Sequence, residues 1–421
     1  MIDIEHIRKN PNAYRYAIKA KRIDVDLDQL LEVDVRRRTL AREVTDLRTE
    51  RNRLTELVAR GEEGREANIA LSRQVGGKLS ECETILTELD ATYDRLMTYM
   101  PGLPLAGVPE GADDSDNVEL YKRSEVRAFD FRARDHVELA RLNSFVNFEG
   151  ARKAAGSRAY ALIANGALLE MAVLRFAFDH VLAKSFVPVL PPLMVTHEAM
   201  YGTGYFPLGE ENAYELAGTA RYLTGTSEVG IMAMQADQIY DNLNEPLRFA
   251  GISTCFRREA GAAGRDTKGF YRVHQFQKVE QVVICQGDDD VSEREHFALL
   301  QNSEEILQAL ELPYRVVAVC TGDMGLGQVR KHDIETWMPS RNAYCETHSC
   351  SSFYEFQARR LKVQYRTDGK KKKYVHTLNN TAIASPRILI ALLENHQNKD
   401  GTINVPVALR PYLGGREILG V

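Results

Sequence analysis

The sequence has few of the features that mark secreted or membrane proteins. Its six cysteines form no CxxC pair and show no metal-ligand spacing, which argues against a disulfide-stabilised scaffold and predicts reduced thiols. No apolar stretch approaches the length of a membrane span, and the opening residues MIDIEHIRKNPNAY contain no apolar signal core. We therefore expect a cytoplasmic protein with no membrane partner.

An excess of positive charge is also missing. The 421 residues carry a formal net charge of −5, so bulk basicity does not indicate nucleic-acid binding and any such binding requires a local patch. A hydrophobic content of 44% and a charged content of 27% are ordinary for a globular protein with a large core. The length allows two or three domains.

Two apolar heptad patterns stand near the start of the chain. Steps that alternate between four and three residues predict a narrow seam on each of two coiled-coil helices. The glycine-punctuated stretch RGEEGRE (60–66) lies between them, so we expect an antiparallel helical hairpin over about 28–100. The seams are Val33, Arg37, Leu40, Val44, Leu47, Arg51, Leu54 and Val58, and then Val75, Leu79, Cys82, Leu86, Leu89, Tyr93, Leu96 and Met100.

The first of these helices is rich in arginine, and its arginines have two interpretations. They form a solvated helix whose charges pair with intervening acids such as Glu43 and Glu50. Alternatively, they present a nucleic-acid surface, which requires that the rest of the chain handle RNA. The arginines concerned include Arg38, Arg42, Arg48 and Arg53.

The pattern changes after the hairpin. The proline- and glycine-rich segment MPGLPLAGVPEGADDSDN predicts a linker over 101–117. From 118 to 421, many short strand-like runs at hairpin spacing predict an α+β domain, with a mainly antiparallel sheet flanked by helices. Its most apolar helix, ALLEMAVLRFAFDHVLAK (167–184), fits either core packing or an interface.

The stretch FRREAGAAGRDTKGFYRVHQFQKVEQ (256–281) concentrates groups suited to a nucleotide. Guanidinium groups fit phosphate, a phenyl ring stacks on a base, and a carboxylate accepts from an amino group. A solvated hairpin shows the same alternation of polar and apolar residues. If the segment is two strands, one face carries Arg257 and Glu259 together with Arg272, His274, Phe276, Lys278 and Glu280.

This stretch resembles motif 2 of class II aminoacyl-tRNA synthetases, in the form found in the seryl-tRNA synthetase family. Several dispersed motifs in the same order are more specific than any single pattern. The resemblance covers essentially the whole chain and implies the class II catalytic fold, an N-terminal coiled-coil arm and a homodimer. The other matching stretches are VPEGADDSDN (108–117), TGTSEV (224–229), CTGDMGLGQ through CETHSCSSFYEFQARR (320–360), LNNTAIASPRILIALLENHQ (378–397) and VPVALRPYLGG (405–415).

The resemblance implies a ligase that activates L-serine with Mg²⁺-ATP and transfers it to the 3′-terminal adenosine of serine tRNA. It leaves selenocysteine tRNA open as a second acceptor, and it implies that residues 1–100 bind tRNA and 118–421 catalyse. Two alternatives stay open. One is a paralogue that activates an amino acid for a non-tRNA acceptor, and the other is a catalytically silent binding paralogue.

The resemblance also assigns roles to individual residues. Arg257, Glu346 and Arg387 are implied as catalytic, and Glu346 and Ser349 as ligands of the Mg²⁺ that accompanies ATP, with no protein-bound zinc. The implied ATP-binding residues are Arg257, Arg258, Glu259, Val273, Phe276, Glu346, Thr347, His348, Ser349 and Arg387. The implied serine-binding residues are Thr226, Ser227, Glu228, Arg257, Glu280, Asn379 and Thr381. The implied tRNA contacts are Arg38, Arg42, Arg48, Arg53 and Arg265.

Two positions depart from the family pattern. Cys345 stands where the family usually has an arginine, and Ser227 stands where it has an alanine. Either these are neutral changes with local compensation, or they alter ATP handling or the choice of amino acid.

Overall fold

The computed structural model describes residues 2–61, 64–260, 269–367, 369 and 371–421. It divides the chain into two compact units, Met1–Pro101 and Gly102–Val421. No helix among the described residues is long and apolar enough to cross a membrane.

The first unit is helical. Its helices are α1 (Ile4–Lys9), α2 (Pro11–Ala20), α3 (Leu27–Arg60) and α4 (Arg65–Thr98). Asp26 caps the start of α3 by accepting a hydrogen bond from the Gln29 backbone N–H at 2.9 Å. Gly61, whose φ of +70° suits glycine, follows the last residue of α3 and caps its end. At 1.5 Å per residue, each long helix extends about 50 Å.

The two long helices pack through the seam that the heptads predict. Val44, Leu79 and Cys82 are buried between them, and Leu40, Leu47 and Leu86 pack alongside. Arg37 pairs with Asp90, and Arg48 pairs with Glu83 at 2.7 Å, so a later residue of α3 meets an earlier residue of α4 and the helices run antiparallel. The predicted antiparallel coiled coil is confirmed.

Arg37 shows how a charged residue fits in an apolar seam. Its guanidinium lies 4.5 Å from the Tyr93 ring centroid and also pairs with Asp90, both on the opposite helix. A cation over an aromatic face is stabilised by the ring, and the aspartate balances its charge. The interruption in the heptad pattern is therefore satisfied across the hairpin.

The second unit contains a large, mainly antiparallel sheet with smaller sheets beside it. Its strands are β1 (Val118–Arg123), β2 (Val187–Val189), β3 (Met194–Thr196), β4 (Tyr214–Leu216), β5 (Arg221–Leu223), β6 (Ile239–Tyr240), β7 (Leu247–Phe256), β8 (Gln275–Cys285), β9 (Tyr314–Ala318), β10 (Arg330–Met338), β11 (Ala343–Tyr354), β12 (Gln364–Thr367), β13 (Lys371–Tyr374), β14 (His376–Ser385), β15 (Ile403–Asn404) and β16 (Ile418–Leu419). The large sheet has the order β1-β9-β10-β11-β14-β8-β7-β2, and its β2–β7 pair is parallel. The smaller sheets are β3-β5-β4, β13-β12-β6 and β15-β16.

Helices bury one face of the large sheet. The helices of this unit are α5 (His136–Leu142), α6 (Phe148–Ala155), α7 (Ala164–Leu182), α8 (His197–Gly202), α9 (Ser227–Ala233), α10 (Asp289–Ala309), α11 (Phe356–Leu361) and α12 (Arg387–Asn395). The main apolar core joins α7, α10 and α12 to β8 through residues such as Val173, Leu300, Leu392 and Val283. The predicted α+β fold with a mainly antiparallel sheet is confirmed.

The segment predicted as a linker is hydrogen-bonded to the second unit over much of its length. The Gly102 N–H donates to the Leu326 carbonyl at 2.9 Å, and the Thr321 N–H donates to the Pro109 carbonyl at 2.9 Å. Asn117 Oδ1 accepts from the Cys320 N–H at 2.9 Å. Proline and glycine here shape an extended segment with partners for its backbone, which composition alone does not distinguish from a free linker.

Candidate active site

A cavity of about 720 Å³ opens on the large sheet of the second unit. Strands β8, β11 and β14 contribute cavity-facing residues, and loops close the sides. Most of the predicted ATP- and serine-binding residues line it, namely Thr226, Glu228, Arg257, Glu259, Val273, Phe276, Glu280, Glu346, Thr347, Ser349, Asn379, Thr381 and Arg387.

Strand alternation explains the wall formed by β8. Phe276, Lys278 and Glu280 line the cavity, while Val279 and Val283 enter the apolar core on the other face. The antiparallel register places Glu280 opposite Thr381 on β14. Alternation thus brings residues that are 101 positions apart into one row of the cavity.

A β-bulge shapes the wall formed by β11. Along the β10–β11 pair, Ile334 is opposite His348 but Glu335 is opposite Glu346, so Thr347 is an extra residue. A bulge shifts the alternation by one residue. Glu346 and Ser349, three positions apart, therefore both line the cavity.

The first part of the motif 2 stretch departs from the predicted strand geometry. Strand β7 ends at Phe256 and β8 begins at Gln275, so Arg257, Glu259 and Arg272 lie outside both strands. Glu259 adopts a left-handed φ of +51°, and its carboxylate accepts a hydrogen bond from Arg272 Nη1 at 3.1 Å. The prediction that His274 shares their face is wrong, because His274 lines a separate cavity beside Tyr214.

One end of the cavity is rich in cations. Arg387, the first residue of α12, donates from Nη1 to Glu346 Oε2 at 3.2 Å and to the Glu346 carbonyl at 3.0 Å. Burial alone raises the pKa of Glu346, but Arg387, Lys331 and Arg257 outweigh it and lower the pKa to about 2. The Glu346 side chain is 48% exposed, so an ionised carboxylate faces the cavity.

Arg257 stands between the two ends of the cavity. Its guanidinium lies 5.3 Å from the Phe276 ring centroid, and its buried Nε has no hydrogen-bond partner among the residues that the structure describes. A buried donor without a partner is costly, so such a group is suited to receive an anionic ligand.

The other end of the cavity holds buried carboxyl groups. Lys278 Nζ lies 2.5 Å from Glu280 Oε2 and donates to Thr226 Oγ1 at 2.7 Å. Burial raises the pKa of Glu280, and the Lys278 ammonium acts in the opposite direction. The arrangement neutralises Glu280 within the protein.

Glu228 is the second carboxyl group at this end. Its Oε1 accepts from Gln357 Nε2 at 2.6 Å, and Gln357 is itself fixed because its Oε1 accepts from Thr377 Oγ1 at 2.6 Å. Burial raises the pKa of Glu228 to about 7, although the Gln357 hydrogen bond opposes the change. With Glu280 already paired to Lys278, Glu228 is the carboxylate best placed to meet a ligand cation.

Three predicted residues do not line the cavity. Ser227 is fully buried, and its hydroxyl donates to Ser253 Oγ at 2.7 Å. Arg258 points into a different pocket, beside Glu210 and Tyr222. His348 lies on the opposite face of β11, where its Nδ1 is 2.8 Å from Thr347 Oγ1.

Sequence reasoning missed several residues of the site. Gln357 orients Glu228, and Lys331 acts on Glu346 while pairing with Asp333 at 3.0 Å. Tyr271 lines the cavity and has two arginines over its ring. A buried glutamine has no sequence signal of its own. Tyr271, in contrast, is adjacent in the chain to the motif 2 arginine Arg272, so the sequence could have indicated it.

The predicted tRNA contacts lie mostly on the helical hairpin. Arg38, Arg48 and Arg53 pair with Asp34, Glu83 and Glu50 at 3.2, 2.7 and 2.6 Å. Arg42 is exposed, and Arg265 lies outside the described residues. These pairs fit the interpretation of a salt-bridged helix, and they leave guanidinium groups at the surface because side chains of Arg48 and Arg53 are more than half exposed.

No group of three or more His, Cys, Asp or Glu side chains could hold a metal ion within the described residues. The two predicted Mg²⁺ ligands, Glu346 and Ser349 on β11, both line the cavity. A carboxylate and a hydroxyl are the hard ligands that Mg²⁺ accepts, but Mg²⁺ is commonly bound by one or two carboxylates together with substrate phosphates. The pair therefore fits a metal that arrives with its ligand.

Comparison with known proteins covers both units. A family model described as the seryl-tRNA synthetase N-terminal domain matches residues 1–104, and one for the class II tRNA synthetase core domain (G, H, P, S and T) matches 215–396. The serine–tRNA ligase of Deinococcus radiodurans is 47% identical over 421 residues, which cover 100% of this chain and 99% of that relative. The serine–tRNA ligase of Symbiobacterium thermophilum is 40% identical over 416 residues, 98% of each chain.

Solved structures agree with these matches. The crystal structure of seryl-tRNA synthetase from Pyrococcus horikoshii complexed with ATP is 36% identical, covers 100% of both chains and superposes with a TM-score of 0.93. The cytoplasmic serine–tRNA ligase of Naegleria fowleri in complex with AMP is 28% identical, with a TM-score of 0.87 over 99% of this chain and 97% of that one.

Proposed function

Because the chain belongs to the seryl-tRNA synthetase family, we propose that its cavity activates L-serine with ATP and that the protein transfers the seryl group to serine tRNA. The observation that carries this proposal is the pairing, in one cavity, of a cation-rich end with an end that holds buried carboxyl groups. The first suits a triphosphate, and the second suits the ammonium and hydroxyl groups of an amino acid.

In the first step, a carboxylate oxygen of serine attacks the α-phosphorus of ATP, and the bond from that phosphorus to the bridging oxygen breaks. Both reactants are anions, so the protein must position them and offset their charge, and no nucleophilic side chain is required. Arg257 is suited to contact the serine carboxylate and the α-phosphate, since its Nε lacks a hydrogen-bond partner within the described part of the chain. Arg387 is suited to the far phosphates.

The base of ATP fits the wall beside Arg257. Phe276 offers a ring face for stacking, and Glu259 offers a carboxylate to the exocyclic amino group. The hydrogen bond from Arg272 to Glu259 fixes that carboxylate in place.

Magnesium fits the cation-rich end of the same cavity. Glu346 and Ser349 would hold the ion together with oxygens of ATP, because their cavity-facing oxygens alone are too few for six-fold coordination. Bound there, Mg²⁺ supplies neutralisation of phosphate charge. The low pKa of Glu346 keeps its carboxylate ionised for this role at neutral pH.

Serine fits the buried end of the cavity. Its ammonium group would pair with Glu228, and its hydroxyl would bind Glu280 and Thr381, whose side-chain oxygens are 3.5 Å apart. A site that hydrogen-bonds a hydroxyl rejects an analogue without one by about 10⁴-fold or more, because buried polar groups are otherwise left unpaired. The site should therefore reject alanine, which has no hydroxyl group to pair with these oxygens.

Two assays test the proposal. Serine-dependent exchange between ATP and pyrophosphate reports the first step, and labelled serine transferred to unfractionated tRNA reports the second. A variant lacking residues 28–100 of the helical hairpin should retain exchange and lose charging. Purified selenocysteine tRNA, assayed in parallel, decides whether it is a second acceptor.

The same assays separate the alternatives. Exchange without charging by the intact protein supports a non-tRNA acceptor. Absence of exchange supports a silent binding paralogue and contradicts the proposal. A matched hairpin control carries Thr45→Ala, which removes an exposed hydroxyl that donates to the Ala41 carbonyl within the same helix at 2.8 Å.

We further propose a homodimer formed through the surface near α7 and β2. Apolar side chains are exposed there, with Met171 66%, Val187 53% and Leu190 82% accessible. Large exposed apolar patches commonly mark protein interfaces. Light scattering after size-exclusion chromatography should give twice the chain mass, and Met171→Glu should reduce it toward one chain.

A cytoplasmic location is part of the same proposal. All six cysteines are unpaired and buried, as expected where thiols stay reduced. Fractionation of the source cells, followed by detection with an antibody, tests it.

A further inference from the structure

Arg341 lies beside the cation-rich end of the cavity, next to the lining residue Tyr271, and has no predicted role. It ends the short 3₁₀ helix Pro339–Arg341 between β10 and β11. Its Cζ is 3.9 Å from the ring centroid of Tyr271, and the Cζ of Arg387 is 4.5 Å from the same centroid. Because Tyr271 lines the cavity, these distances keep the two guanidinium groups within about 8 Å of each other beside its wall.

The turn that carries Arg341 is anchored to the helix that carries Arg387. The Ser340 N–H and hydroxyl donate to the two carboxylate oxygens of Glu394 at 2.9 and 2.8 Å. Glu394 is fully buried near the end of α12, and Arg387 is the first residue of that helix. Both arginines are therefore positioned by one element, which reduces the ordering cost of binding an anion.

A second cation would add to the positive charge that Arg387 offers a ligand. Glu346 already engages Arg387 through an ion pair of 3.2 Å, so part of the Arg387 charge is offset within the protein. Cys345 stands where the family resemblance implies an arginine; its burial raises the pKa of the thiol, and the charge of Arg341 acts in the opposite direction. Arg341 thus places positive charge close to both Tyr271 and Cys345.

We propose that Arg341 and Arg387, with Tyr271 between them, form an outer anion subsite that receives the distal phosphates of ATP and holds pyrophosphate as it leaves. The inference rests on the proposed function. When the bond from the α-phosphorus to the bridging oxygen breaks, its electron pair goes to the pyrophosphate oxygen. Arg341 makes no bond in this step, and it offsets the charge that the leaving group carries.

Calorimetric titration with inorganic pyrophosphate tests the subsite without requiring activity. Arg341→Ala should weaken pyrophosphate binding about tenfold, the effect of losing one charge-assisted hydrogen bond, while serine affinity stays unchanged. Arg341→Lys should recover part of the affinity. The matched control is Arg366→Ala, which removes a partly exposed arginine on β12 that pairs with Asp241 at 3.2 Å and does not line this cavity. Equal pyrophosphate affinity in the unchanged protein and Arg341→Ala would overturn the inference.

A rescue variant separates a charge effect from a packing effect. Adding Cys345→Arg to Arg341→Ala should restore pyrophosphate affinity to within about threefold, since it returns a guanidinium to the same wall. Failure of this rescue, or a matching loss of serine affinity in Arg341→Ala, means that Arg341 acts through structure and contradicts the subsite. Serine-dependent exchange by the unchanged protein is the separate test of the proposed function, so the two failures are distinguishable.

Discussion

The ionisation of Glu228 should control serine use near neutral pH. Burial raises its pKa from 4.5 to about 7, a change that corresponds to about 3 kcal/mol. The carboxylate must be ionised to attract the serine ammonium, so kcat/KM for serine should fall as pH drops below about 7. At pH 6 about one tenth of the free enzyme is ionised, which gives about a tenfold loss.

The hydrogen bond from Gln357 affects the pH at which kcat/KM for serine begins to fall. Gln357 stabilises the ionised carboxylate at 2.6 Å, so Gln357→Leu should raise the pKa and move the onset to higher pH. Glu228→Gln should lower kcat/KM for serine about 10- to 100-fold at pH 8 and remove the part of the pH dependence that Glu228 causes, because the charge-assisted contact is lost.

Serine-dependent pyrophosphate exchange between pH 6 and 8.5 provides the measurement. The KM for ATP is an internal control over the upper part of this range, because the pKa of Glu346 is about 2. Near pH 6 Asp333 also titrates, since burial raises its pKa to about 6, so Glu228→Gln is needed to isolate Glu228. A flat profile in the unchanged protein, or an identical slope in Glu228→Gln, would refute the reasoning.

Three further predictions concern other parts of the chain. Ser227→Ala should lower the free energy of unfolding by about 1 kcal/mol and leave the KM for serine unchanged, because its hydroxyl bonds to Ser253 outside the cavity; denaturant unfolding and exchange measure both. Lys278→Met should raise the KM for serine at least tenfold by leaving Glu280 unpaired, whereas Lys278→Arg should retain more activity. Arg42→Ala with Arg48→Ala should raise the KM for tRNA in charging and make its salt dependence less steep, because fewer phosphate contacts remain, while exchange is unaffected; an unchanged KM for tRNA would contradict tRNA contact.

The sequence predicted the fold well where periodicity or motif order carries the information. Heptads located the hairpin, including Arg37 in its seam, and hairpin spacing predicted the antiparallel sheet. It predicted the cavity less completely. The bulge at Thr347 and the left-handed backbone at Glu259 are local geometries that sequence patterns do not indicate. The sequence therefore did not predict which of the neighbouring side chains face the cavity.

Residues buried beside the cavity explain the remaining misses. His348 and Ser227 stand next to cavity residues in the chain but point away, as strand alternation and a helix start require. Gln357 acts from α11, eight positions after Ser349, and lies within a matching stretch to which no role was assigned at that position. A motif match predicts which stretch of the chain forms the site, whereas the fold determines which side chains in that stretch face the cavity.

The extra residue at Thr347 makes strand β11 respond differently to deletions at different positions. Losing Thr347 itself would leave Glu346 and Ser349 two positions apart, so both would still face the ligand by simple alternation. Losing one residue from the regular part of the strand after Ser349 would instead turn the residues on one side of the deletion away from the ligand. Substitution changes one contact, whereas a deletion there changes a row of contacts. Insertions and deletions during divergence should therefore be tolerated at the hairpin tip and in surface loops, and be lethal between Ser349 and Phe353.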